Sequence, residues 1–243
     1  YSDSDAGLEE KIIDRMLQAG AKGLIIYPAD GKYYSEKILR LNIDDFPVVL
    51  IDRYLPGINT CCVYSNSYQG GYDVGRYLID KGHKNIGLLS MIPDQTVPVL
   101  DRIEGFSDAL SSSDIAINSA YWLTNLEKCP VPDKDGKHIK VIEQIAKLFA
   151  EHKEITAIFA INSLIALMAH KAAQNLGIRI PKDLEIVCFD NPSGYHNLTD
   201  YHISYVDQSE YEMGKIAVKL LIEQIKGKKC ENYIIPCKLV SCE

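Results

Sequence analysis

The sequence predicts an α/β protein built on parallel sheets. Short continuous apolar runs ("GLIIYP", "VVLI", "NIGLL", "EIVCF") alternate along the chain with amphipathic stretches of helical period. The runs lack the polar–apolar alternation of a strand with one wet face, so they belong in sheets covered on both sides. The stretches between them suit crossover helices, which parallel neighbours require. At 243 residues, 47% hydrophobic and 24% charged, the chain is long enough for one large domain or two lobes.

Leu8 to Ala19 reads as a helix, with Leu8, Ile12, Ile13, Met16 and Leu17 on one face. "GLIIYP" follows as a buried strand ended by Pro28, then a helix from Tyr33 to Leu41 and the strand "FPVVLIDR". "CCVYSN" is extended, and Tyr68 to Lys81 forms a long helix with Gly82 as its C′ residue. "NIGLLS" is a strand, Val97 to Ser112 a helix, and "SAYWLT" a strand. The Pro, Asp and Gly of "CPVPDKDGKHIK" mark a loop before a helix from Ile139 to Ala150. Ala157 to Asn191 supplies strand, helix and strand. "ISYVDQ" is extended, Tyr211 to Lys226 is helical, and "NYIIPCKLV" closes the chain as one late strand.

Composition excludes several classes. A net charge of −7 makes a poor nucleic-acid surface, because phosphate binding needs clustered Lys and Arg. No run of about 18 apolar residues marks a membrane span. The seven cysteines are odd in number, without C-x-x-C or zinc spacing, and several lie in apolar strands, so free thiols in a reducing cytoplasm are expected. No metal or cofactor is expected. G-x-S-x-G, P-loop and H-E-x-x-H are absent and the six histidines are scattered, so no nucleophile, base and orienter assemble and an enzyme is not expected.

Ligands of parallel α/β sheets bind beyond the carboxyl ends of the strands. That rule selects Tyr27, Asp52, Arg53, Ser65, Asn66, Ser90, Asn162, Ser163, Asp190, Asn191, Asp207 and Gln208. Turn chemistry explains small polar residues at such ends, but not three aspartates, an arginine and several amides together.

The segments "YLIDKGHKNIGLLS", "DRIEGFSDAL" and "AIFAINSLIALMAHKAAQNLGIRIPKDLEIVCFDN" resemble, in order, the effector-binding core of LacI/GalR-type bacterial transcription regulators. The segment "VVLIDRYLPG" is similar to versions in hybrid regulators that carry a winged-helix, GntR-type head, the arabinose-repressor type. The resemblance implies a periplasmic-binding-protein type I fold: two Rossmann-like lobes around a sugar-sized cleft. The chain would cross between lobes near Ser65, near Gln208 and near Cys230 to Ile234. Residues 1–65 plus 208–230 would form one lobe, and 66–207 plus 231–243 the other. Against the family pattern a first strand–helix–strand unit is missing ahead of "YSDSDAGLEE", and it is expected in the natural protein.

The resemblance also assigns roles. Arg102, three residues before Gly105, would reach sugar hydroxyls with its planar fork of donors; a surface pair with Asp101 or Glu104 is the alternative. Asp190 would accept from hydroxyls, or serve an Asx turn. Asn162 and Ser163 would contact ligand or cap the following helix. Asp52 would match a cleft position, and Arg53 beside it would contact ligand, pair with Asp30 or hold the crossing. Asn66 would contact ligand or cap the helix from Tyr68, and Gln208 would contact ligand or act as a hinge. Trp122 and Tyr27 would stack on a sugar face, although core packing is the commoner use of a Trp in "AYWL". The expected partners are a sugar effector, a second copy in a homodimer, and operator DNA through an N-terminal domain absent from this chain, with no membrane. A secreted solute-binding protein for sugar transport is the rival expectation.

Overall fold

The structure, a computed structural model, describes residues 5–29, 35–55, 57–58, 60–91, 96–128, 136–194 and 203–242. In chain order the elements are α1 (Ala6–Gln18), β1 (Leu24–Ile26), α2 (Glu36–Ile43), β2 (Val48–Ile51), β3 (Cys61–Ser65), α3 (Ser67–Asp80), β4 (Ile86–Met91), α4 (Val97–Ser111), β5 (Trp122–Leu126), α5 (Lys137–Glu151), β6 (Ala157–Ala160), α6 (Ser163–Asn175), β7 (Glu185–Phe189), β8 (Ser204–Asp207), α7 (Glu210–Ile225), β9 (Tyr233–Ile235) and β10 (Lys238–Val240). Among the described residues no helix is long and apolar enough to cross a membrane. The expected helix start at Tyr33 and most of the loop from Cys129 lie outside the described residues.

The chain divides into two units. One comprises Tyr1–Asn66, Gln95–Leu100 and Ser209–Pro236; the other comprises Ser67–Asp94, Asp101–Gln208 and Cys237–Glu243. The first holds a parallel sheet in the order β1-β2-β3-β9. Its two central strands are buried on both faces, while β1 and β9 at the edges are partly exposed. Val48, Leu50 and Cys62 pack with Ile13 of α1 and Ile38 and Leu41 of α2, whereas Val49, Cys61 and Val63 pack with Met213 and Ala217 of α7. Asp5 starts α1 by accepting a hydrogen bond from the Leu8 amide at 2.9 Å.

The second unit holds a sheet in the order β10-β8-β7-β6-β4-β5, parallel except for the β10–β8 pair. β6 and β7 are buried along their whole length. Gly82 follows α3 at φ +87°, the left-handed position expected of a helix-ending glycine. The histidine of "KGHKN" is structural. His83 Nε2 lies 3.0 Å from Glu185 Oε2 and its Nδ1 lies 2.9 Å from Thr156 Oγ1. Glu185, at the amino end of β7, also accepts from Tyr77 Oη and Lys81 Nζ, each at 2.9 Å. Burial pushes the Glu185 carboxyl up, but the hydrogen bonds from His83, Lys81 and Tyr77 outweigh it and hold the group at about 2.

Four expectations are corrected, the first being that of free thiols at Cys61 and Cys230, which are joined in a disulfide. The single late strand over 232–240 is two strands, because Pro236 has no amide to donate and interrupts the run. β9 extends the first sheet beside β3 and only β10 joins the second, so the last change of unit follows Pro236 rather than falling at 230–234. The strand expected at "SAYWLT" begins at Trp122; Ser119–Tyr121 forms a short 3-10 turn whose Ala120 amide donates to Asn118 Oδ1.

Candidate ligand-binding site

In the second unit, the strand-end residues gather around Arg102. This residue is 6% exposed, and its position is set by helix contact. A Cβ on Gly105 of α4 would lie 2.0 Å from the Tyr68 carbonyl oxygen of α3, and a Cβ on Gly71 of α3 would lie 2.1 Å from the Arg102 carbonyl oxygen. Only glycine at both positions lets the two backbones touch, which is the physical content of the Arg-x-x-Gly spacing. The Arg102 guanidinium lies 4.0 Å over the Phe189 ring. It donates to the Ile161 carbonyl at 3.1 Å and to Gln208 Oε1 at 3.0 Å. Gln208, also buried, donates through Nε2 to Asp190 Oδ1. Arg102 and Asp190 are thus linked through one amide. The surface pair of Arg102 with Asp101 or Glu104 is not what forms.

Two polar atoms at this end of the sheet are unspent. Arg102 Nε and Ser90 Oγ are buried with no hydrogen-bond partner among the described residues.

Asp190 adopts φ +68° directly after β7, with its amide donating to the Val206 carbonyl at 3.1 Å. Asp52 in the first unit repeats the geometry after β2: φ +65°, its amide on the Val63 carbonyl at 2.9 Å. Left-handed backbone is uncommon outside glycine and is held by surrounding structure, often at functional sites.

Asn162 is the N-cap of α6; its Oδ1 accepts from the Ile165 amide at 2.9 Å. Ser163 is buried as the first residue of that helix. Asn191 spends its side chain on a turn, accepting from the Ser193 amide and donating to Tyr205 Oη.

In the first unit, Arg53 Nη1 donates to the carbonyls of Pro28 and Ala29, both at 2.9 Å, and its guanidinium lies 4.4 Å from the Tyr27 ring centroid. The Ala29 amide in turn donates to the buried Glu9 at 2.6 Å. Arg53 therefore ties the loop after β1 to the end of β2, while the alternative partner Asp30 lies outside the described residues. Half of Tyr27 is exposed beneath it. Asn66 follows β3, its amide donating to the Ile235 carbonyl at 2.8 Å, with the side chain exposed.

Trp122 is not brought to the cluster. It opens β5 at the strand's amino end, paired with Leu88, and its ring lies 6.0 Å from Phe106. Phe106 continues to Phe159 and Phe159 to Phe189, so the indole belongs to an aromatic core that ends under Arg102. Sequence reasoning missed Phe189 as the seat of the guanidinium. Its only signal is its place next to Asp190 at the end of an apolar strand.

The sequence matches the family described as periplasmic binding protein domain over residues 1–229. The chain belongs to that family. Its relatives are repressors: it is 29% identical over 229 residues to the ribose operon repressor of Haemophilus influenzae, covering 94% of this chain and 64% of the relative. It is 29% identical over 225 residues to the transcriptional repressor PurR of Histophilus somni, covering 92% and 63%. The chain thus spans about 64% of the length of the curated relatives it matches. Among solved structures, a regulatory protein of the LacI family from Chloroflexus aggregans shares the fold at a TM-score of 0.83, 22% identity and coverage of 100% and 84%. A LacI family regulator from Enterococcus faecium with bound ribose does so at 0.78 and 22%, covering 95% and 82%.

Proposed function

We propose that this chain is the effector-sensing part of a bacterial transcription regulator and that its effector is a sugar or sugar-like polyol. The observation that carries this is the Arg102–Gln208–Asp190 relay, with Arg102 Nε and Ser90 Oγ unspent beside it. A fixed donor fork and an acceptor-only carboxylate complement vicinal hydroxyls. The candidate site residues Asp52, Asp190, Arg53 and Arg102 sum to no net formal charge, which suits an uncharged polyol better than a polyphosphate. The ribose carried by the Enterococcus relative and the cellobiose carried by the regulator CelR support the class.

On this reading the protein binds without turnover, acts as a homodimer in the cytoplasm, and reaches operator DNA through a head outside this chain, GntR-type on the evidence of "VVLIDRYLPG". The ligand must bind two conformations unequally, or nothing is regulated. Thermal-shift screening against mono- and disaccharides identifies the effector, since a ligand of the native state raises the midpoint. Arg102→Ala then abolishes the calorimetric heat of that sugar, and Asp52→Ala tests whether the first unit shares the ligand. Unchanged affinity in Arg102→Ala sinks the assigned site. A disulfide between Cys61 and Cys230 favours the second reading, an exported solute-binding protein. A monomer in sedimentation that releases its sugar unchanged would support that reading over the first.

A further inference from the structure

Cys61 and Cys230 lie 169 residues apart in sequence and are joined with a Cα–Cα distance of 5.4 Å. Cys61 is buried at the amino end of β3, whereas Cys230 is half-buried in the segment between α7 and β9. Both open on a cavity of about 510 Å³, shared with Phe46, Gln224, Lys228 and Lys229. The cavity has recognition chemistry. Two lysines supply positive charge against one carboxylate, Asp45; among the described residues Lys229 makes no ion pair, while Lys228 pairs with the half-buried Glu223 at 3.8 Å. Gln224 Oε1 is a buried acceptor without a partner among the described residues, and it could receive an amide or ammonium N–H.

Two other cysteines, Cys62 and Cys188, are buried in the core. Cys62 is adjacent in sequence but lies on the opposite face of β3, in the core beneath α1 and α2. Burial, then the Asp52 charge, pushes its thiol up to about 12, and burial pushes Cys188 up as well. Both are therefore inert as nucleophiles.

We propose that Cys61 and Cys230 form a reversible thiol–disulfide site whose cavity admits an anionic low-molecular-weight disulfide, a class represented by glutathione disulfide. From the reduced protein, the Cys230 thiolate attacks one sulfur of the small disulfide. A mixed disulfide forms and one small thiolate leaves with the electron pair of the broken bond. The Cys61 thiolate then attacks the Cys230 sulfur and expels the second small thiolate. Two protein thiols are oxidised, one small disulfide is reduced to two thiols, and the two protons lost by the cysteines end on them. Cys230 attacks first because it is the more accessible sulfur and lies beside the two lysines. The chemistry is independent of which effector the strand-end site takes.

The test uses the whole chain, reduced, freed of reductant and exposed to glutathione disulfide, with peptide mass mapping over time. The Cys61–Cys230 bond is expected to form ahead of any modification at Cys237 or Cys242, and excess reduced glutathione is expected to reopen it in the folded protein. Cys61→Ser is expected to trap glutathione on Cys230. The pair Lys228→Glu and Lys229→Glu is expected to slow the reaction about tenfold with glutathione disulfide but not with neutral 2-hydroxyethyl disulfide. The proposal is overturned if Cys61 and Cys230 stay thiols while Cys237 or Cys242 reacts, or if reduced glutathione leaves the native bond intact. Equal slowing of both reagents removes the assigned cavity. The wild-type time course stands even where a variant fails to fold.

Discussion

Gly105→Ala sets two effects of opposite sign against each other. Within a helix, replacing glycine by alanine gains about 1 kcal/mol of helix propensity. At this position the added Cβ would lie 2.0 Å from the Tyr68 carbonyl oxygen, 2.9 Å from its carbon and 3.0 Å from the Tyr72 nitrogen. All three are α3 backbone, so no side chain can swing aside, and α4 must withdraw by roughly 1 Å or more to restore ordinary contact. Overpacking of this kind costs about 1–3 kcal/mol. Arg102 sits one turn upstream on the same helix. A shift of that size stretches its bonds to Ile161 and Gln208, now 3.1 and 3.0 Å, beyond hydrogen-bonding range. A bond from a charged donor contributes about 1.5–3 kcal/mol. Loss of one such bond plus overpacking, less the propensity gain, leaves a destabilisation of about 1.5–5 kcal/mol. Urea denaturation reads it as a lower midpoint. Gly214→Ala in α7 is the control, because a Cβ there meets nothing within 4 Å and only the propensity gain applies, so its midpoint rises. A Gly105→Ala midpoint equal to or above the parent's would refute the packing argument.

Asn162→Ala removes the cap of α6 and lowers stability by about 1 kcal/mol, while Asn162→Ser keeps a capping oxygen and most of that stability; a sugar affinity lost in the serine variant at unchanged melting temperature would assign Asn162 a ligand contact besides the cap. Glu185 has its carboxyl held at about 2, below its unfolded value, so its contribution is present above about pH 4.3 and lost as pH falls toward 2. Glu185→Gln therefore lowers stability at pH 7, by an amount on the order of 2 kcal/mol, and flattens the acid limb of stability against pH; a parallel limb would show that another carboxylate sets it. Gln208→Leu leaves Asp190 and Arg102 without their shared partner and weakens sugar binding by a hydrogen bond's worth or more, at least about tenfold in calorimetry.

Much of the fold was legible because its signals are local. Continuous apolar runs gave the buried strands of both sheets, and helical periodicity gave α1, α3, α6 and α7 within a few residues. The errors fall where local pattern yields to partner choice. "NYIIPCKLV" looks like one strand, but Pro236 breaks it and its two halves pair with strands separated by the whole second unit. The Cys61–Cys230 bond spans 169 residues, and nothing near either cysteine announces the other. At the candidate site, the residue types followed from the rule that ligands meet strand carboxyl ends, and Arg102 from a family motif. Their connection did not, because residues 102, 161, 189, 190 and 208 meet only through tertiary packing. Gly71 of α3 and Gly105 of α4 owe their place to a close backbone approach that only coordinates reveal.

The relay bears on how such a site can respond to a ligand. An arginine and an aspartate in direct contact would neutralise each other and leave little for a hydroxyl to gain. Here Gln208 stands between them, donating to one and accepting from the other, so each charge keeps hydrogen-bonding capacity. Arg102 Nε is the visible remainder of that capacity. Phe189 beneath the guanidinium adds attraction without using a donor, and the Ile161 carbonyl fixes the fork's orientation. A polyol entering such a site meets groups already held in place, so little side-chain ordering is charged against its binding. Gln208 is also the last residue of the second unit before the chain leaves it, and Ser209 follows in left-handed backbone at φ +56°. A hydroxyl that draws either Arg102 or Asp190 away from Gln208 therefore acts on the residue from which the chain crosses. On the proposed reading Gln208, more than either charged residue, would be the position where binding is coupled to the crossing.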